Sequence, residues 1–168
     1  MAEWRVNMQV RRLRKDDMAA VMDIYGSSGR FMAENGNAGQ WGDNYPDNGL
    51  VESYIEKDGY VVTQKDEIIG VFIFSDNDES YNSIVGEWLD NEPYGVIHML
   101  ATGGTRRGAG QFILDWCLDK TGNIRIDTHK DNIPMRNLLE KNGYKYCGTV
   151  TLGSRGERMA FQKNRKTV

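Results

Sequence analysis

Two cysteines and two histidines are all that 168 residues contain of either type. Cys117, Cys147, His98 and His129 show no ligand spacing, so no zinc or comparable metal centre is expected. With so few thiols, disulfide stapling is not expected either. Cys117 falls on a predicted helix and Cys147 on a predicted strand, and both read as buried free thiols of a reducing, cytoplasmic compartment. Positive charge is not in excess: 21 Lys and Arg stand against 24 Asp and Glu, a formal net charge of −3. Such a chain offers no broad basic field, which argues against nucleic acid as a partner. No stretch reaches the roughly 18 consecutive apolar residues of a membrane span. Residues 1–14 are too charged for the apolar region of a signal peptide. Linkers, low-complexity segments and internal repeats are also lacking. The length and a hydrophobic share of 39% fit one globular domain over residues 1–168.

The patterning alternates between strand-like and helix-like segments. Residues 8–12 read as a strand. Asp16 or Asp17 then caps a helix whose face is Met18, Val21, Met22 and Tyr25. A polar, glycine-rich stretch over 33–48 contains Gln40, Trp41, Gly42, Tyr45 and Pro46. Leu50, Val51, Tyr54 and Ile55 mark a second, short helix closed by Gly59. Residues 60–64 and 68–74 form a hairpin about Lys65, Asp66 and Glu67, and 75–90 is a loop or a further strand. The apolar run 95–102 is a strand, and 111–120 is a helix with Ile113, Trp116 and Cys117 on one face. Residues 123–128 are a strand. Asn132 caps the next helix, Pro134 suits its first turn, Met135, Leu138 and Leu139 form its buried side, and Gly143 ends it. Residues 144–151 and 158–162 close the chain as a hairpin. The order β-α-α-β-β-β-α-β-α-β-β is a mixed α/β plan.

The segment Arg106, Arg107, Gly108, Ala109, Gly110 carries the most information. It is a glycine-bearing turn that opens a helix directly after a strand. The first N–H groups of a helix lack partners and its dipole makes that end positive, so phosphate or pyrophosphate suits the place. Gly103 and Gly108 have the separation of a P-loop, but Ala109 stands where the lysine belongs and Gly110 where the Ser or Thr belongs. Gly108 and Gly110 begin a dinucleotide fingerprint, but Ile113 replaces its last glycine.

What remains is R-x-x-G after a strand, and here the chain resembles the GNAT superfamily of acyl-CoA-dependent N-acyltransferases. Arg107 to Gly110 match the first four positions of the family's [Q/R]-x-x-G-x-[G/A], with Phe112 where Gly or Ala is usual. Residues 132–144 match its second pattern, N-x-x-[A/M]-x-x-x-[Y/L]-x-x-x-G-[F/Y], through Asn132, Met135, Leu139, Gly143 and Tyr144. The resemblance implies a mixed, mostly antiparallel central sheet flanked by helices, and acetyl-CoA as cosubstrate without a metal. It also implies that backbone groups of Leu100, Ala101 and Thr102 pair with pantetheine. The phosphate arm would rest on N–H groups of Gly108, Ala109, Gly110 and Gln111 beside Arg107 and Arg106, with Asn132 on the far side.

The implied reaction is attack of a primary amine on the acetyl thioester, with a backbone N–H near Leu100 or Ala101 at the developing oxyanion. The amine must lose a proton. His98 shares a strand face with Val96 and Leu100 by alternation and is the first candidate base, with Glu87 and Asp127 behind it. The family's usual tyrosine acid is replaced by Leu139, which leaves Tyr144, Tyr146 or solvent. Trp41, Tyr45 and Trp88 are the expected walls of an acceptor pocket, where aromatic faces would hold an amine cation. His129 would border the same cleft. The expected partner is a small-molecule amine, with no nucleic acid and no membrane, and a homodimer is left open. Acetylation of protein N-termini or lysines, and a CoA-binding regulatory module without turnover, are the alternatives.

Overall fold

A computed structural model describes Arg5 and residues 7–104 and 107–166. Strand β1 (Met8–Arg12) leads through a 3-10 turn into α1 (Met18–Glu34). Asp17, immediately before α1, makes no side-chain cap to the helix. Its carboxylate instead accepts from Arg11 Nη1 and Nη2 at 2.7 and 2.9 Å and from the Arg14 N–H at 2.8 Å. Two short helices follow, α2 (Ala38–Trp41) and α3 (Asn48–Glu52). The former lies inside the polar, glycine-rich stretch over 33–48. The latter starts where the Asp47 carboxylate accepts from Leu50 N at 2.8 Å, and it ends before Tyr54 and Ile55, which fall in the turn beyond it.

Strands β2 (Gly59–Gln64) and β3 (Glu67–Ser75) are joined by Lys65 and Asp66, both at positive φ (49° and 65°). That is the two-residue primed turn whose twist matches a hairpin. The expected 75–90 loop holds a 3-10 turn (Glu79–Ser83) and a two-residue strand, β4 (Val85–Gly86). The second half reads β5 (Gly95–Thr102), α4 (Ala109–Thr121), β6 (Asn123–Thr128), α5 (Ile133–Lys141), β7 (Lys145–Thr151) and β8 (Glu157–Asn164). All eight strands form one sheet in the order β1-β2-β3-β5-β6-β8-β7-β4, with β5 and β6 parallel and the other neighbours antiparallel. The mixed, mostly antiparallel architecture read from the sequence is the one observed.

Alternation along the strands sends apolar side chains to both faces. On one face Val62, Phe72, Ile97, Ile124, Ile126 and Phe161 pack against Ile113, Leu114 and Cys117 of α4 and Leu139 of α5. On the other, Val61, Val71, Ile73 and Ala101 lie beneath α1 through Val21, Ile24 and Tyr25, and beneath Val51 of α3. Beside β6 and β8, among the described residues, that second face is covered by the 3-10 turn Glu79–Ser83 rather than by an α-helix. Tyr81 covers Val96, Val150 and Ala160 there. Trp116, expected on the buried stripe of α4, is half-buried and is ringed by Tyr60, Phe72 and Phe74 with centroids 5.3–6.0 Å away. Cys117 is buried as expected, but Cys147 is half-buried, because β7 lies next to the two-residue edge strand.

Leu139, the residue at the family's tyrosine position, is fully buried in the α4/α5 core. Leu139→Ala should therefore destabilise the fold by roughly 2–5 kcal/mol through the cavity it leaves. Denaturant unfolding of the two proteins at one pH checks this. A difference below ~1 kcal/mol would mean that the site collapses around the deletion.

Candidate functional site

The parallel pair β5–β6 is in register at three positions, Gly95↔Ile124, Val96↔Arg125 and Ile97↔Ile126. Beyond Ile97 the two strands part. On its other side β5 stays with β3, but the register jumps. Val71 faces Ala101 and Ile73 faces His98, so Met99 and Leu100 together oppose Phe72. This is a β-bulge. Met99 adopts φ +50°, an uncommon conformation for a residue with a side chain. The buried Tyr25 hydroxyl donates to the Met99 carbonyl at 2.8 Å and fixes the bulge from beneath. The bulge also breaks the expected alternation. Leu100 packs against the α4/α5 core, while Val96 packs on the opposite face under Tyr81, so the two do not share a face.

The parted strands enclose a cleft of about 580 Å³. Its β5 wall is residues 97–104, and its other wall is Ile126, Asp127, Thr128, Asn132 and the first turns of α5. At the vertex stands His98. Its Nε2 lies 2.9 Å from Asp78 Oδ2, and its Nδ1 lies 3.9 Å from Asp127 Oδ2. The same Asp127 oxygen accepts from the Tyr81 hydroxyl at 2.6 Å. Asp78 is held by the 3-10 turn that it caps, with Oδ1 accepting from Ser80 N at 2.8 Å. The hydrogen bond to His98 keeps the Asp78 carboxyl below its ordinary range. Asp78 is thus an acceptor, and the proton between the two groups belongs to the imidazole Nε2, which turns Nδ1 toward the cleft side of Asp127. Burial pushes the Asp127 carboxyl up, against the opposing pull of His98 and Tyr81. Burial, with Asp127 next to it, pushes the Tyr81 phenol well up, so Tyr81 remains a donor.

The α4 end of the cleft is built by two glycines. Gly108, the N-cap of α4, has φ +86°, a left-handed conformation that favours glycine. A Cβ on Gly110 would come within 2.9 Å of Leu138 Cδ2, so the first turn of α4 sits directly on α5. Gly103, Gly104 and Gly110 line the cleft with Leu100, Ala101 and Thr102, while Arg107 is exposed and is not among the lining residues. Ala109 is buried, Gln111 half-buried, and Arg106 lies outside the described residues. Asn132 lines the far wall with both side-chain ends engaged. Its carbonyl accepts from Met135 N at 3.2 Å, and its amide donates to Gln40 Oε1 at 2.9 Å.

The acceptor wall departs from expectation. Trp41 lines the cleft but is 8% exposed, edge-on to Tyr25 and Tyr45. Tyr45 already holds a cation: the Arg155 guanidinium stacks 3.9 Å from its ring centroid and donates to its hydroxyl at 2.9 Å. Trp88 is not among the cleft-lining residues. Its indole N–H donates to Tyr81 O at 3.0 Å, and Arg125 stacks on its ring, so it fastens the 76–94 segment to β6. Glu87 is likewise absent from the lining. It is exposed beside β7, its N–H donating to Cys147 O. His129 sits against Gly39 and borders a shallower hollow with Arg155 and Arg158. Tyr144 is buried in the core and Tyr146 is exposed, and neither lines the cleft. Asp78, Tyr81 and Arg158 were missed. The first two carry one legible signal, an Asp two residues before Ser80 as in a capped turn. Among the described residues, no three His, Cys, Asp or Glu group as metal ligands, and no helix is long and apolar enough to cross a membrane.

No protein-family model matches the chain, and no curated protein matches it. Solved structures do. An acetyltransferase of the GNAT family from Streptococcus agalactiae 2603 superposes with a TM-score of 0.84 at 30% identity, covering 94% of this chain and 95% of that one. A GNAT-family acetyltransferase from Bacillus cereus ATCC 10987 gives a TM-score of 0.62 at 18% identity, with 94% and 97% covered. The yncA protein of Salmonella typhimurium, solved with its cofactor acetyl-CoA, gives 0.63 at 15% identity, with 95% and 94% covered. At these last two identities the likeness is one of fold.

The vertex has a pH signature. Asp127 binds its proton more tightly folded than unfolded, so its contribution to stability is full below the ordinary carboxylate value of 3.8 and is lost as pH rises through the higher folded value. Asp127→Asn lacks that loss and can still accept from Tyr81. Its melting temperature should gain on that of the unmodified protein as pH rises above 3.8. Thermal melts of both proteins from acid to neutral pH test this, and a gap that stays constant or narrows would contradict it.

Proposed function

The chain belongs to the GNAT family of acetyltransferases, and on that premise we propose that it transfers an acetyl group from acetyl-CoA to the primary amine of a small molecule. The observation that carries this reading is the vertex itself: an imidazole oriented by a carboxylate, at the point where two parallel strands part above a helix N-terminus. The residues present suit the cosubstrate. Beyond Ile97 the β6-facing backbone edge of β5 has no strand partner among the described residues, and apart from the Met99 carbonyl, which Tyr25 occupies, the groups of residues 100–102 on that edge suit pairing with an amide-bearing chain. The first-turn N–H groups of α4, from Gly108 to Gln111, suit phosphate, with Arg107 exposed nearby.

Acetyl-CoA supplies the activated thioester. The chain's own residues supply position and proton traffic. A backbone N–H near Leu100 or Ala101 holds the oxygen on which charge develops. His98 takes the proton of the attacking amine at Nδ1, with Asp78 fixing the tautomer and stabilising the imidazolium. Tyr81 holds Asp127 beside the same nitrogen. Asn132, engaged with Gln40 and its own helix, supports the far wall rather than offering a free amide. Leu139 supplies no proton, so the departing thiolate is protonated by solvent. Phe31, Met32, Tyr45 and Tyr54 give the acceptor side apolar walls suited to a small molecule.

Acetyl-CoA at 100 times its dissociation constant should stabilise the protein by about 2.7 kcal/mol, read as a rise in melting temperature. No shift at millimolar acetyl-CoA with folded protein would sink the reading. His98→Ala should keep that shift and lose roughly 10²-fold in turnover. Normal turnover in this variant would leave His98 as a packed strand residue.

A further inference from the structure

Two arginines stand on the acceptor wall without an acidic partner. Arg158 is 3% exposed and Arg155 is exposed, and both line the cleft. Among the described residues neither forms an ion pair with a carboxylate. Arg158 spends three of its five N–H groups on backbone carbonyls: Nη1 on Arg155 at 2.7 Å and Glu157 at 2.9 Å, Nη2 on Gln40 at 2.9 Å. Its polar atoms are therefore served by neutral carbonyls, and Asp127 acts on its charge only from a distance. Among the described residues the Arg155 side chain donates only to Tyr45 Oη, at 2.9 Å, which leaves the rest of its fork for a ligand. Burial draws the Arg158 guanidinium down from its ordinary value, and the neighbouring Arg155 draws it down further. Two like charges held side by side, one of them buried, call for an anion.

The same wall leads in to the His98 cluster. Asp127 interacts electrostatically with both Arg158 and Tyr45, so the arginine pair and the His98 cluster share one chamber. The chamber is dipolar: carboxylates and imidazole at the vertex, guanidiniums at the mouth. We propose that the acceptor is a free amino acid, its carboxylate held by Arg155 and Arg158 while its amine faces His98. This rests on the acetyl-transfer reading and names the substrate class of that site. A planar carboxylate suits the guanidinium fork. Phe31, Met32 and Tyr54 leave an apolar wall for an uncharged side chain. The aromatic residues of the wall thus do not cage the amine. Tyr45 serves to steady Arg155.

The test compares each of a panel of apolar amino acids with its own carboxamide, by acetyl-CoA-dependent thiol release. Chemistry alone favours the carboxamide, because a carboxylate makes its neighbouring amine more basic and less often neutral. The proposal requires the reverse, a kcat/KM about 10²-fold higher for the acid, the worth of a charge-assisted hydrogen-bond pair. Arg155→Gln, which changes an exposed turn residue, should raise KM for the acid about tenfold or more and shrink the acid-to-carboxamide ratio. Arg158→Lys should do the same if it folds, and the Arg155 variant decides if it does not. Carboxamides turned over as well as acids would overturn the proposal and leave acetyl transfer standing. A melting shift with acetyl-CoA but no turnover on any pair would also overturn it. Absence of the melting shift would instead overturn the acetyl-transfer reading beneath it.

Discussion

The parting of β5 from β6 after their third paired position is the constraint on which the rest of the molecule depends. Unpaired backbone edges are costly inside a protein and are usually paired or covered. Here each strand keeps its outer neighbour, β3 for β5 and β8 for β6, so the sheet survives a split down its middle. The bulge at Met99 lets β5 diverge while it holds β3, and the Tyr25 hydroxyl makes one conformation of that bulge the stable one. The last pair is Ile97 with Ile126, and the next residue on each strand is His98 and Asp127. The split thus brings the site's imidazole and its buried carboxylate to 3.9 Å without any loop having to find the position.

Burial then decides what each charge does. Asp78 has a turn amide and an imidazole N–H on its oxygens and stays ionised. Asp127 is 8% exposed in its side chain and resists ionisation, although a tyrosine and a histidine lean on it. Two carboxylates flanking one ring are therefore not equivalent. One orients the ring, and the other responds to its protonation. On the neighbouring strand β8, Arg158 shows the converse economy, with donors taken by neutral carbonyls rather than by a carboxylate.

How much of this was legible in the sequence follows from the range of the interactions. The strands 95–102 and 123–128, the glycine turn between them and the Asn132 cap depend on neighbouring residues, and their spacing carried them. Asn132 does cap α5, accepting from Met135 N. The bulge was not legible. Alternation placed Leu100 beside His98, and nothing local in 95–102 announces that Tyr25, 74 positions away, will hold Met99 at positive φ. Asp78 and Tyr81 were hidden for the same reason. They lie in a polar stretch without periodicity, and their meaning comes from partners 20 to 46 residues on. Trp41 and Tyr45 line the cleft, whereas Trp88 misled because a ring has several uses. Trp88 looked like a pocket wall and is a clamp on Arg125.

The cleft is also held open by a hub that no single element contains. Gln40 Oε1 accepts from Asn37 and from Asn132, both at 2.9 Å, and its backbone carbonyl accepts from Arg158 at 2.9 Å. One residue of a four-residue helix therefore ties α2, the start of α5 and β8 together. Each tie is buried on at least one side, where a lost partner costs more than a made bond returns. The three walls that meet there cannot shift separately without orphaning a donor. Asn132 explains itself within this hub: the residue that the family motif offers to the cosubstrate has its amide committed to Gln40. The acceptor wall and the cosubstrate wall are thus fixed to each other, Asn132 and Arg158 both bonding to Gln40.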